Sequence, residues 1–161
     1  MIREVITEDI KQICEIYNYY IGNTIVTFDE EPISYDEMKK RVDEITTSFP
    51  FFVYIEDQGV IGYSYARNWK GRGAYRHTVE STIYLNHKSL GKGIGTLLYS
   101  TLLKELKNRK FHVVMAGIAL PNEKSRHLHE KLGFKKVAHL NEVGYKFNRW
   151  IDVGYWELIL E

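Results

Sequence analysis

The chain has 161 residues, of which 44% are hydrophobic, 27% charged and 14% aromatic. That composition excludes a disordered chain and suits one domain, residues 1–161, with a sizeable core. Lys and Arg number 22 against 21 Asp and Glu, a net charge of +1, so no global field points to nucleic acid or to a membrane surface. The single cysteine, Cys14, cannot close an internal disulfide and fits a reducing compartment. The first residues, MIREVITED, carry no apolar signal core, and no stretch approaches the ~20 apolar residues of a membrane span. The expected location is the cytoplasm.

Met1 to Ile6 reads as an edge strand. From Thr7, Ile10, Ile13, Ile16, Tyr17 and Tyr20 recur at helical steps, with Glu8 and Asp9 in the first turn where the helix dipole favours them. Gly22-Asn23-Thr24 ends this helix, and Ile25 to Pro32 has no period and reads as a loop. Ser34 followed by Glu37 is a capping box that opens a helix to about Thr46, with Met38, Val42 and Ile45 on one face. Phe51 to Glu56 and Val60 to Trp69 form a hairpin around Asp57-Gln58-Gly59. Asn68 to Tyr75, NWKGRGAY, is a cationic loop with two glycines.

Thr78 to Leu85 is the strand that feeds the central feature of the chain. Gly91, Gly93 and Gly95 alternate, and an apolar helical pattern follows from Thr96 to about Arg109. Strand, glycine loop and helix together hold phosphate, because glycine lets backbone N–H groups turn inward and the helix N-terminus adds unsatisfied donors. Val113 to Leu120 is a nearly continuous apolar run, hence a buried strand. Pro121-Asn122 breaks it. Glu123 to Leu132 is a helix closed by Gly133. Phe134 to Val143 and Trp150 to Leu160 are two more strands. The order predicts an α+β fold, a mixed and mostly antiparallel sheet of about seven strands with about four flanking helices.

The loop is not a P-loop, since Lys92 is followed by Gly93 rather than Ser or Thr. Nor is its G-x-G-x-G spacing that of a dinucleotide loop, and it comes at mid-chain. LGKGIGT between strand and helix resembles the pyrophosphate loop of the GNAT acyl-CoA N-acetyltransferases. Gly93 and Gly95 fit that pattern, while Leu90 stands where Arg or Gln is usual. Asn122, Ser125, Leu128-His129 and Leu132-Gly133-Phe134 resemble the second signature of these enzymes. Asn68 to Glu80, NWKGRGAYRHTVE, is similar to the W-K-x-R-x-A-Y-x-x-T-V-E segment of the phosphinothricin and methionine sulfone/sulfoximine N-acetyltransferases. Thr27-Phe28 with Glu31-Pro32, Arg126 to Glu130, and Gly144-Tyr145-Lys146 with Trp150, Asp152 and Val153 resemble further segments of that group, so the likeness spans nearly the whole chain.

The resemblance implies the GNAT fold, acetyl-CoA as co-substrate, a homodimer and a small amino-acid-like amine as acceptor. Glu80 is the candidate base, on a strand among Thr, Val and Ile, where burial suits a carboxylate to that task. His129 stands where many GNAT enzymes carry a tyrosine that protonates the leaving thiolate, and histidine can do so near working pH. Backbone groups of Ile83, Tyr84 and Leu85 would guide the pantetheine arm and polarise the acetyl carbonyl. Gly91, Lys92, Gly93, Ile94, Gly95 and Thr96 would hold the pyrophosphate, with Asn122 beside the cofactor. Lys70, Arg72, Gly73, Tyr75 and Lys146, walled by Phe28, form the candidate acceptor pocket, whose cations suit a carboxylate and a second polar group. Such a pocket disfavours polyamines and aminoglycosides. One cysteine and no H-x-x-x-H pair leave no metal site. The alternatives are a GNAT enzyme acting on peptide N-termini and a CoA-binding module without catalysis.

Overall fold

The computed structural model describes residues 1–161. The strands are β1 (Ile2–Glu4), β2 (Phe51–Glu56), β3 (Gly59–Asn68), β4 (Thr78–Leu85), β5 (Val113–Ala119), β6 (Lys135–Lys146) and β7 (Arg149–Ile159). The helices are α1 (Ile10–Asn23), α2 (Tyr35–Thr46), α3 (Ile94–Asn108) and α4 (Glu123–Lys131). All seven strands join one sheet in the order β1-β2-β3-β4-β5-β7-β6. Every pairing is antiparallel except β4 with β5, which is parallel. This is the mixed sheet and four-helix content expected from the sequence, with β1 at an edge. No helix is long and apolar enough to cross a membrane.

Alternation along the strands divides the core in two. On one face, Ile10, Ile13 and Ile21 of α1 pack with Met38 and Val42 of α2 against Phe51, Val53 and Tyr63. The three isoleucines are at most 1% exposed, and each such burial contributes about 1.5–3 kcal/mol. On the other face, Tyr99, Leu102 and Leu106 of α3 pack on Val79, Val114, Ala116 and Trp156. Val114, Ala116 and Ile118 of the central strand β5 are buried on the α3 face, whereas Gly117 on its other face is exposed, so the apolar run is not fully enclosed as the sequence suggests. Ser34 caps α2 by accepting a hydrogen bond from the Glu37 N–H at 3.1 Å, satisfying one of the free donors of the first turn.

Several boundaries differ from the sequence reading: β1 is shorter, and α1 starts at Ile10 after a separate short turn at Thr7–Asp9. Helix α3 starts at Ile94, inside the glycine run, because Gly93 serves as its N-cap. Strand β6 runs to Lys146, and β7 resumes at Arg149, so the two form a hairpin around Phe147-Asn148. Both turn residues are left-handed, with φ of 52° and 62°, the backbone of a two-residue hairpin turn. With no glycine there, the turn carries no sequence signal.

Candidate active site

The site arises from a break in the sheet. β4 stays paired with β3 from Val79 to Leu85. It pairs with β5 at only three positions, the last being Glu80 with Met115. β5 then continues beside β7 as far as Ala119. Beyond Glu80, then, β4 and β5 part, and Ser81–Leu85 present a free backbone edge. At ~3.3 Å per residue, Glu80 at the apex and Leu85 at the open end are roughly 17 Å apart. The Asn86 N–H donates to the Ile61 carbonyl at 2.7 Å. By strand alternation Tyr84 also faces β3, while Ile83 and Leu85 turn their backbone groups into the wedge. Tyr84 is thus a correction to the expected backbone contacts. Its peptide group lies in the β3 ladder, and its ring packs against Tyr17, Tyr20 and Tyr63. The Leu85 carbonyl accepts from the Tyr20 hydroxyl at 2.6 Å. Burial pushes that hydroxyl up to about 12, so it stays a donor.

The glycine loop closes the wide end of the wedge. Gly91 and Gly93 have φ of 80° and 77°, left-handed values that side chains resist. The N–H groups from Gly91 to Thr96 find no acceptor in the chain, so the loop and the start of α3 present a row of free donors at a positive dipole end. Gly95 lies inside the helix; a Cβ there would come within 3.3 Å of Leu85 and 3.5 Å of Leu128. α3 thus packs closely against β4 and α4 here, and a larger residue would need the Leu85 side chain to shift by a few tenths of an ångström. Lys92 is exposed and forms no ion pair. Asn122 spends its side-chain oxygen capping α4, accepting from the Ser125 N–H at 3.1 Å.

Glu80 sits at the apex, where the parallel pairing ends. The expected apolar enclosure is absent, since its side chain keeps 21% exposure and pairs with Arg67 at 2.9 Å. Arg67 is its direct partner across β3 and β4, a neighbour of the site that the sequence reading missed. Tyr155 on β7 is another: it stands opposite Gly117 of β5, and burial, then the charge of Glu80, push its hydroxyl up. The Trp69 ring meets Tyr155 edge-on at 5.2 Å. Only the register brings these four residues to one place.

The segment from Ile25 to Pro32 crosses this same face. The Tyr17 hydroxyl donates to Asp29 and accepts from the Thr27 hydroxyl at 2.8 Å, and Arg41 adds an ion pair to Asp29 at 3.0 Å. Asn18 brackets Ile33 with two hydrogen bonds of 2.9 Å. Lys146, expected in the acceptor pocket, is instead 3% exposed and donates to the Thr27 carbonyl at 2.8 Å. Burial pulls its ammonium down, opposed by Glu30 and Asp29. It clamps the loop from beneath, so it is not a free cation. Phe28 on this loop is half-exposed and lies so close over Gly144 that a Cβ there would sit 2.4 Å from its ring. Lys70, Arg72 and Tyr75 are exposed at the rim; Lys70 rests 5.2 Å from the Trp69 ring, and Gly73 opens a short turn through Tyr75.

His129 also differs from expectation. It is 4% exposed, with Tyr99 and Phe134 packed edge-on against its ring, each at 5.1 Å. Its Nδ1 donates to the Ser125 carbonyl at 2.7 Å. Burial lowers its pKa, although that bond opposes the effect. The ring is therefore neutral and held, the opposite of an imidazolium ready to give up a proton. Cys14 is buried in α1, and Ser81 points to the α3 face, where its hydroxyl bonds that of Tyr99. Neither is placed to attack a substrate.

The family described as Acetyltransferase (GNAT) domain matches residues 2–154. The chain is 38% identical to the phosphinothricin N-acetyltransferase of Streptomyces viridochromogenes, covering 97% of this chain and 85% of that one. It is 32% identical to the L-methionine sulfoximine/L-methionine sulfone acetyltransferase of Pseudomonas aeruginosa, covering 99% and 94%. A crystal structure of a phosphinothricin acetyltransferase from Sinorhizobium meliloti in complex with acetyl-CoA superposes with a TM-score of 0.96 at 35% identity, covering 99% and 88%.

Two outcomes follow from this geometry. Gly93→Ala has room for its Cβ but must hold a left-handed backbone, at a cost of about 1–2 kcal/mol. Steady-state kinetics should show KM for acetyl-CoA raised about 5- to 30-fold with kcat little changed. For His129, the folded pKa lies below the ordinary 6.5. As pH falls below that value the unfolded chain gains a proton that the native ring refuses, so stability drops. Urea midpoints between pH 7 and pH 5 should fall more steeply for the wild type than for His129→Gln.

Proposed function

The chain belongs to the GNAT acetyltransferases, acetyl-CoA-dependent N-acyltransferases, and we propose that it acetylates the α-amine of a small amino-acid-like acceptor of the methionine sulfone, methionine sulfoximine or phosphinothricin type. The observation that carries this reading is Glu80 at the apex of the wedge, where the free edge of β4 ends. The cofactor pyrophosphate sits on the free N–H groups from Gly91 to Thr96. The amide groups of the pantetheine arm add to the open edge of β4 at Ile83 and Leu85, as an extended peptide adds to a sheet. This brings the thioester to Glu80.

The reaction is a direct transfer within a ternary complex. The acceptor nitrogen attacks the thioester carbonyl carbon, the C–N bond forms and the C–S bond breaks. An acceptor entering as an ammonium sheds two protons. One passes through Glu80 to solvent, and the thiolate ends as a thiol by taking up the other. Arrangement of the two substrates supplies the remainder of the acceleration. Glu80, the Phe28 wall and the rim cations Lys70 and Arg72 are the acceptor-side groups. His129 acts as a positioning residue that holds α4. The free, buried Cys14 is consistent with work in the reducing cytoplasm.

The working form is proposed to be a homodimer. β6 is the edge strand, and Val137, Val143 and Tyr145 on it, with Trp150 beside them at 64% exposure, leave an apolar band uncovered. Long apolar edges are normally paired or covered.

Glu80→Gln should lower kcat for acetylation of methionine sulfone by about 10²- to 10⁴-fold, read as free-thiol release, while acetyl-CoA still binds. Full activity in that variant across pH would remove Glu80 from the mechanism. Light scattering should give twice the 18.9 kDa chain mass for the wild type. It should give the single mass for the double variant Val143→Glu, Trp150→Glu.

A further inference from the structure

Arg67 has no role in the functional reading above, yet it stands nearest the reacting centre. It lies directly across the β3–β4 ladder from Glu80, at the apex of the wedge. Only its Nη2 is engaged, donating to Glu80 at 2.9 Å, and its Nη1 and Nε make no hydrogen bond. Its side chain is 56% exposed, so the free arm of the guanidinium fork is open to a ligand. The other cations on this side are less suited. Lys146 is buried and committed to the Thr27 carbonyl, Lys70 rests on Trp69, and Arg72 belongs to the exposed turn at the rim.

The geometry points to Arg67 as the residue that binds the α-carboxylate of the acceptor and so selects free α-amino acids. This rests on the reading of Glu80 as the base at the acceptor amine. An α-amino acid carries an ammonium and a carboxylate on one carbon. A carboxylate and a guanidinium held side by side on adjacent strands are its charge complement. The acceptor nitrogen meets Glu80 while its carboxylate takes the free arm of Arg67 as a charge-assisted, fork-shaped pair. The Arg67–Glu80 bond fixes the spacing between the two contacts, and Tyr155, backed by Trp69, walls the pair on the β7 side. A peptide N-terminus has an amide where the free amino acid has its carboxylate. It would leave that charged arm unpaired, which is a penalty built against the wrong acceptor.

The test compares Arg67→Gln and Arg67→Lys with the wild type on two acceptors, L-methionine sulfone and its α-carboxamide. The inference predicts that Arg67→Gln raises KM for the free acid about 10- to 100-fold, the loss of one charge-assisted contact. The carboxamide should change less than about threefold, and kcat for the acid should hold within a few-fold. Arg67→Lys should recover part of the lost affinity. Equal losses on both acceptors would assign Arg67 to holding Glu80 instead, and no change on either would remove it from the site; both overturn the inference. Calorimetric titration of methionine sulfone into enzyme saturated with CoA gives a readout independent of turnover. Binding by the wild type that Arg67→Gln loses supports the inference. Equal binding by both, or none by the wild type, overturns it. A wild type that binds methionine sulfone but releases no thiol would instead overturn the acetyl-transfer reading.

Discussion

The separation of β4 from β5 after Glu80 is the constraint on which the rest of the site depends. A paired parallel ladder would have consumed the backbone edge from Ser81 to Leu85. Here the two strands hydrogen-bond at three positions and then diverge, each still held by its other neighbour, β3 on one side and β7 on the other. The sheet remains continuous while a row of strand donors and acceptors is left open at its centre. Backbone polar groups need partners, and in an open groove those are water or a ligand with its own amides. The divergence also sets Glu80 at the head of the open edge, because it is the last residue of β4 paired with β5.

The two ends of the wedge are built differently. At the wide end the work falls to backbone. Gly91 and Gly93 adopt left-handed conformations and the start of α3 supplies free N–H groups, so the polar groups on offer there are mainly backbone. Leu90, where a polar residue is usual in related loops, is consistent with a site whose donors come from the main chain. At the apex the work falls to side chains from different elements. Glu80 comes from β4, Arg67 from β3, Tyr155 from β7 and Phe28 from the clamped loop.

That clamp uses groups that look functional in isolation. Tyr17, Asp29, Arg41, Lys146 and Asn18 combine charge, hydroxyl and amide chemistry, yet they serve to fix one connecting segment over the sheet. No buried side-chain nitrogen or oxygen in the chain lacks a hydrogen-bond partner. A polar group taken from water without a partner costs about 1–3 kcal/mol, so a fully satisfied clamp holds Phe28 in place without a penalty of that kind. His129 follows the same logic on the opposite face, where its ring sits in an aromatic core and donates to the Ser125 carbonyl of its own helix.

The sequence by itself determined the elements, the glycine loop and the family. Helical and strand periodicities, the Ser34 cap, the positive-φ glycines and the contiguous motifs all depend on residues close together in the chain, and local order is readable from local spacing. It also singled out Glu80, because the strand carrying it adjoins the loop. The tertiary structure alone decided which charges meet. Lys146 became a buried clamp because its strand passes under Thr27, 119 residues away in sequence. His129 became a core residue because α4 turns that side toward Tyr99 and Phe134. Arg67 and Tyr155 came beside Glu80 through strand register, and neither lies in a motif. Whether a side chain is buried, paired or free is set by what the fold places around it, and that information is not local to the chain.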